Sequence, residues 1–126
     1  MKEQLLLLIT KTKLYSMELL AIVSSFFLPI YGILILIFFC IVFDTITGIW
    51  KAKKTNTPVT SRRLSAIISK ILLYEATVML FYLMDFYLLN DIILTFFSVE
   101  LLTTKILALV LVSVEVISIN ENYKAV

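Results

Sequence analysis

Histidine is absent from the 126 residues, which removes the side chain most used as a general base and as a transition-metal ligand. The single cysteine, Cys40, excludes an intramolecular disulfide and any site built from two thiolates; inside an apolar run it reads as a small buried hydrophobe. With only two glycines and two prolines, no Gly-rich phosphate loop can be assembled, and no Ser-His-Asp set either. The sequence therefore gives no reason to expect an enzyme, and no catalytic, cofactor or metal-binding residue is assigned. Charge is also scarce: 16% of residues are charged and the net charge is +2, too small and too localised for a nucleic-acid partner.

What is abundant is apolar surface. The 61% hydrophobic content exceeds the roughly 45–50% of soluble domains, and the mean hydropathy is +1.04. Residues 19–43 contain no charged side chain. At about 1.5 Å of rise per residue, that run is long enough for a bilayer core of about 30 Å. The pattern predicts an all-α integral membrane protein, with about three transmembrane helices and a short N-terminal interfacial helix in a single membrane domain.

The expected division is an interfacial helix over 1–16, a first span over 17–43, a basic cytoplasmic segment over 44–70, a second span over 71–90, a third over 101–119, and a cytoplasmic tail over 120–126. Near the N-terminus, Leu5, Leu8, Thr12, Tyr15 and Leu19 fall at helical spacing, a modest amphipathic signal. The apolar run 5–9 is too short for the core of a cleaved signal peptide. Pro29 and Gly32 interrupt the first run, so the helix is expected either to continue with a kink or to break into a re-entrant hairpin. A continuous span is the preferred reading, because each half is shorter than the roughly 17 residues a crossing needs.

Orientation follows from charge. Lys51, Lys53, Lys54, Arg62, Arg63 and Lys70 are unaccompanied by any acid between 51 and 70, so they are expected to face lipid headgroups on the cytoplasmic side. The segment 85–100 carries Asp85, Asp91 and Glu100 and no base, as suits an external loop. Thr60 or Ser61 is the expected cap of the second helix.

Polar residues at membrane depth need a reason, since an ionised group at mid-bilayer costs about 2.5–3.5 kcal/mol on insertion scales. Asp44, Thr47, Gly48 and Lys51 stand at i, i+3, i+4 and i+7 and would share one face, with Gly48 admitting a close backbone. Against this packing seam stands the plainer reading of Asp44 as an interfacial end-marker and Gly48 as a turn. Thr104, Ala108, Leu111, Glu115, Ser118 and Asn122 form a second stripe, in which Glu115 is expected to pair with Lys51 or Lys70. Glu75 and Asp85, about 80° apart on one helix, could line an oligomeric pore together with Tyr82, or could serve interhelical hydrogen bonding.

Two segments carry a resemblance. Phe43-Asp44-Thr45-Ile46-Thr47-Gly48-Ile49-Trp50-Lys51-Ala52 has the form Asp-x-x-Thr-Gly-x-x-Lys-Ala, and Glu115-Val116-Ile117-Ser118-Ile119-Asn120-Glu121-Asn122 has the form Glu-x-x-Ser-Ile-x-Glu-Asn. In that order, with the basic segment and its Ser61 between them, they resemble the phage lysis and toxin-secretion holin family over roughly residues 40–125. The resemblance implies a multi-pass protein of the bacterial inner membrane. It would form homo-oligomers and open lesions for an endolysin or exported protein, without necessarily touching that cargo, and it has no catalytic residues. The positions it carries over are Asp44, Thr47, Gly48, Lys51 and Ala52, then Glu115, Ser118, Ile119, Glu121 and Asn122. The chain departs from the family in having no glycine between Leu64 and Ser69, which puts the turn geometry in doubt. An antiholin, a structural membrane anchor and a small ion channel or transporter are the alternatives.

Overall fold

The computed structural model describes all residues 1–126, and every regular element is helical. Five α-helices follow one another: α1 (Lys2–Phe26), α2 (Tyr31–Lys54), α3 (Ser61–Met84), α4 (Asn90–Phe96) and α5 (Leu102–Lys124). A 3-10 turn, Leu28–Ile30, precedes α2, and a π-turn, Asp85–Leu89, joins α3 to α4. The chain divides into two compact units, Met1–Tyr31 and Gly32–Val126.

In the first unit, α1 runs well past the end expected for it at residue 16, and it has no buried residue. The residues of its expected stripe are all exposed, and Thr10, Thr12 and Ser16 return their hydroxyls to the carbonyls four residues back. The helix expected to run unbroken through 17–43 instead stops before Pro29. Proline lacks the N–H that would continue the ladder, and its ring crowds the preceding turn. One freed carbonyl, that of Ser24, accepts the Tyr31 hydroxyl at 2.6 Å.

Three helical stretches are long and apolar enough to cross a membrane: Leu28–Lys54, Ser61–Phe96 and Leu102–Lys124. At about 1.5 Å per residue each exceeds a bilayer core of about 30 Å; the second extends past the expected 71–90 at both ends, while the first starts later than 17 and runs on past 43, and the third runs on past 119. The Asp44 to Lys51 segment lies within α2, and Arg62 and Arg63 lie in the first turn of α3.

The turn between α2 and α3 is made without glycine. Asn56 takes a positive φ of 54°, a left-handed conformation that asparagine tolerates better than most residues. Thr57 N donates to Ala52 O at 2.8 Å and Asn56 N to Lys53 O at 3.5 Å, the paired bonds that close a helix C-terminus. Pro58 follows, and Thr60 caps α3 by accepting from Arg63 N at 3.3 Å. Residues 64–69 are helical, so the missing family glycine leaves no gap in the turn.

Three stripes build the core of the second unit. From α2 come Ile37, Ile41 and Ala52, from α3 Val78 and Tyr82, and from α5 Thr104, Ala108 and Glu115. On α2 the spacing 37, 41, 44, 48, 52 puts Asp44 and Gly48 on the face that the isoleucines bury. Most other large apolar side chains point outward, among them Phe38, Leu72, Leu80, Leu109 and Ile117, which suits a protein whose solvent is lipid.

Candidate functional site

Asp44 is the centre of a polar cluster that joins α2, α3 and α5. Its Oδ1 accepts from Ser118 Oγ at 2.7 Å and from Asn122 Nδ2 at 3.1 Å, and its Oδ2 meets Lys70 Nζ at 3.3 Å. Asn122 Nδ2 also reaches Thr47 Oγ1 at 3.1 Å and Asp44 O at 3.4 Å, while the Thr47 hydroxyl donates to Asp44 O at 2.9 Å. Lys70 then links the cluster to Glu115, whose Oε1 lies 2.7 Å from Nζ. Tyr74 lies against Glu115 and presents its ring 5.6 Å from the Lys70 ammonium.

The two family-like segments therefore face each other within one chain. Sequence spacing placed Asp44, Thr47 and Gly48 on one face and Glu115, Ser118 and Asn122 on another, and the structure closes one onto the other with Lys70 as the bridging cation. Burial makes the pairing consequential. The Glu115 side chain is 0% exposed and that of Asp44 14% exposed, so without Lys70 both carboxylates would sit in a poorly solvated seam.

Two readings change. Between the two candidate partners of Glu115, the structure selects Lys70, and Lys51 makes no ion pair. Lys70 accordingly turns inward, unlike Lys53, Lys54, Arg62 and Arg63, which stay exposed. Gly48 does not serve a close backbone approach within the protomer. A Cβ built on it would meet only Asn122 Nδ2, at 3.7 Å, so the space beside it belongs to a side-chain amide.

At the other end of the bundle, Glu75, Tyr82 and Asp85 do not share an open face. Tyr82 is 2% exposed and Asp85 0%, whereas Glu75 is half-buried, with Oε1 enclosed and unpartnered. Asp85 serves instead as the cap of α5. Its Oδ2 accepts from Thr104 N at 2.7 Å and from Thr104 Oγ1 at 2.6 Å, so a carboxylate from the π-turn satisfies a first-turn N–H of another helix. Leu101, at the position where a capping side chain would stand, supplies none and adopts a positive φ of 54°. Asn90 Oδ1 receives its N–H at 3.4 Å. Sequence reasoning placed Thr104 in the polar stripe but not its bond to Asp85, because a cap borrowed across 19 positions leaves no local signature.

A cleft of about 270 Å³ opens beside the cluster, between the end of α2, the start of α3 and the end of α5, and a smaller one of about 180 Å³ shares four residues with it. The arrangement ties α2, α3 and α5 together through hydrogen bonds and two ion pairs.

A family model described as the bacteriophage holin family matches residues 21–126. Neither the curated proteins nor the solved structures compared with the chain include a match.

Proposed function

Because the chain belongs to the bacteriophage holin family, a multi-pass protein of the bacterial inner membrane acting in phage lysis, we propose that it oligomerises there and opens lesions through which an endolysin or another exported protein crosses. The observation that carries the reading is the family match, which spans all three membrane-crossing helices. In this reading the basic turn between α2 and α3 stays on the cytoplasmic side, following the excess of Lys and Arg there. The Asp44, Lys70 and Glu115 cluster holds each protomer closed as protein accumulates, and the outward apolar faces meet lipid and neighbouring protomers. The buried positions of Tyr82 and Asp85 weigh against a channel lined by a stripe of acids on α3.

The test is inducible expression of the chain in bacteria, with and without a cytoplasmic cell-wall hydrolase. Membrane potential and hydrolase release are followed together. The expected result is silent accumulation, then abrupt depolarisation accompanied by passage of the folded hydrolase. High expression in the membrane with no depolarisation overturns lesion formation, and depolarisation with the hydrolase retained replaces it with a small ion pathway.

A further inference from the structure

We propose that the cleft between the end of α2 and the start of α3 is a binding site for an anionic phospholipid, which seats its phosphate against Lys51 and Arg63 and lays the upper part of an acyl chain against Ile49, Leu64 and Ile67. The cleft has two chemically distinct ends. The polar end is the smaller cleft, lined by Lys51, Thr55, Thr57 and Arg63, and it adjoins the larger cleft, walled by aliphatic side chains of the same two helices, at Gly48, Ala52, Arg63 and Asn122, which line both. Neither Lys51 nor Arg63 makes an ion pair, so two cations converge on one opening with no carboxylate bound to either. Asp44 and Lys70 also line the cleft, but their charges are already matched: Asp44 accepts from Ser118, Asn122 and Lys70, and Lys70 meets Glu115 as well.

Charge complementarity and shape together select the occupant. A free phosphate would fill the cationic end and leave the aliphatic wall open, whereas a phospholipid satisfies both. The cleft also lies beside the end of one membrane-crossing helix and the start of the next, and basic pockets between such helices are suited to anionic lipid. Site binding differs from diffuse attraction by the basic turn. Lys53 and Lys54 carry the same charge and lie on the same turn, yet neither lines the cleft.

Native mass spectrometry of the full-length protein, released from vesicles of phosphatidylcholine with a minor fraction of phosphatidylglycerol, provides the test. The expected result is retention of phosphatidylglycerol well above its bulk share, reduced by roughly tenfold in the Lys51→Gln/Arg63→Gln pair. The charge-matched Lys53→Gln/Lys54→Gln pair should retain far more. Leu64→Gln, which keeps both cations but spoils the aliphatic wall, should lower retention, whereas millimolar inorganic phosphate should not displace the lipid. Helical circular dichroism establishes that each variant is folded, and Lys51→Gln alone serves if the pair is not. Retention equal to the bulk share, equal loss in both charge-matched pairs, or full displacement by inorganic phosphate would each overturn the proposal. None of these outcomes bears on lesion formation, which is read separately.

Discussion

Replacing Lys70 by methionine removes the one cation that faces both Asp44 and Glu115 while preserving most of the side chain's length. The two carboxylates left behind are 14% and 0% exposed. Removing one partner of a buried ion pair costs about 3–5 kcal/mol, because the desolvated charge that remains has nothing to offset it. Lys70 is itself 32% exposed, so water reaches the seam from that side and the lower end applies: about 3 kcal/mol, or roughly 150-fold in the folding equilibrium. Adding Glu115→Met should recover most of the loss. The Lys70–Glu115 pair becomes apolar, while Asp44 keeps its bonds from Ser118 and Asn122 but loses its cation, so the double variant is expected to be more stable than Lys70→Met and to remain below the parent. Reversible unfolding in mixed micelles by titration with sodium dodecyl sulfate measures these differences. Trp50, the sole tryptophan, lies 6.4 Å from Tyr123 and reports separation of α2 from α5. Lys51→Met, which breaks no ion pair, should change stability by no more than about 0.5 kcal/mol. A loss below about 1 kcal/mol for Lys70→Met, the range of exposed pairs, would refute the reasoning, and so would a double variant no more stable than the single.

Asp85→Ala should destabilise by about 2–3 kcal/mol, since it strands both the N–H and the hydroxyl of buried Thr104; hydrogen exchange should then accelerate first at the N-terminal turn of α5. Asn56→Ala is expected to cost about 1 kcal/mol and Asn56→Gly almost nothing, because only the alanine Cβ resists a φ of 54°; the same detergent titration separates the two. Gly48→Ala should be neutral or stabilise by up to about 1 kcal/mol, as the new methyl meets Asn122 Nδ2 at 3.7 Å and helix propensity improves. If that variant keeps its protomer stability but abolishes cross-linked oligomers, Gly48 belongs to a contact between protomers.

The spans and the two polar stripes were legible because each is a periodic signal within one helix. Asp44 to Lys51 and Thr104 to Asn122 could be written down from spacing alone. That the stripes oppose each other was not legible, since register between helices depends on how α2 and α5 pack, which no local pattern encodes. Lys70 looked like one more headgroup lysine because it continues a run of basic residues; it shares a face of α3 with Arg63, two turns further into the helix, and there it meets Asp44 and Glu115. The break at Pro29 was foreseen as a choice between kink and discontinuity, and the residues before it continue α1 instead of starting a span. Asp85 misled for a different reason. An acid on an apolar helix invites a functional reading, and the helix it caps begins beyond a π-turn and a further short helix.

Closure of the polar cluster within the protomer bears on how accumulation could end in a lesion. With Asp44, Lys70, Glu115, Ser118 and Asn122 bonded to one another, a protomer offers neighbours mostly apolar surface, and association in lipid rests on close packing without a strong hydrophobic drive. A water-filled opening needs polar groups on its wall, and turning these outward first breaks the ion pairs. The balance reverses only where water and neighbouring open protomers supply new partners, which requires a dense cluster. If the protein opens lesions as proposed, a network satisfied inside each chain would suppress leakage at low density and make opening dependent on crowding. By the same argument Lys70→Met, which loosens the closed protomer, should bring depolarisation forward to a lower level of accumulated protein.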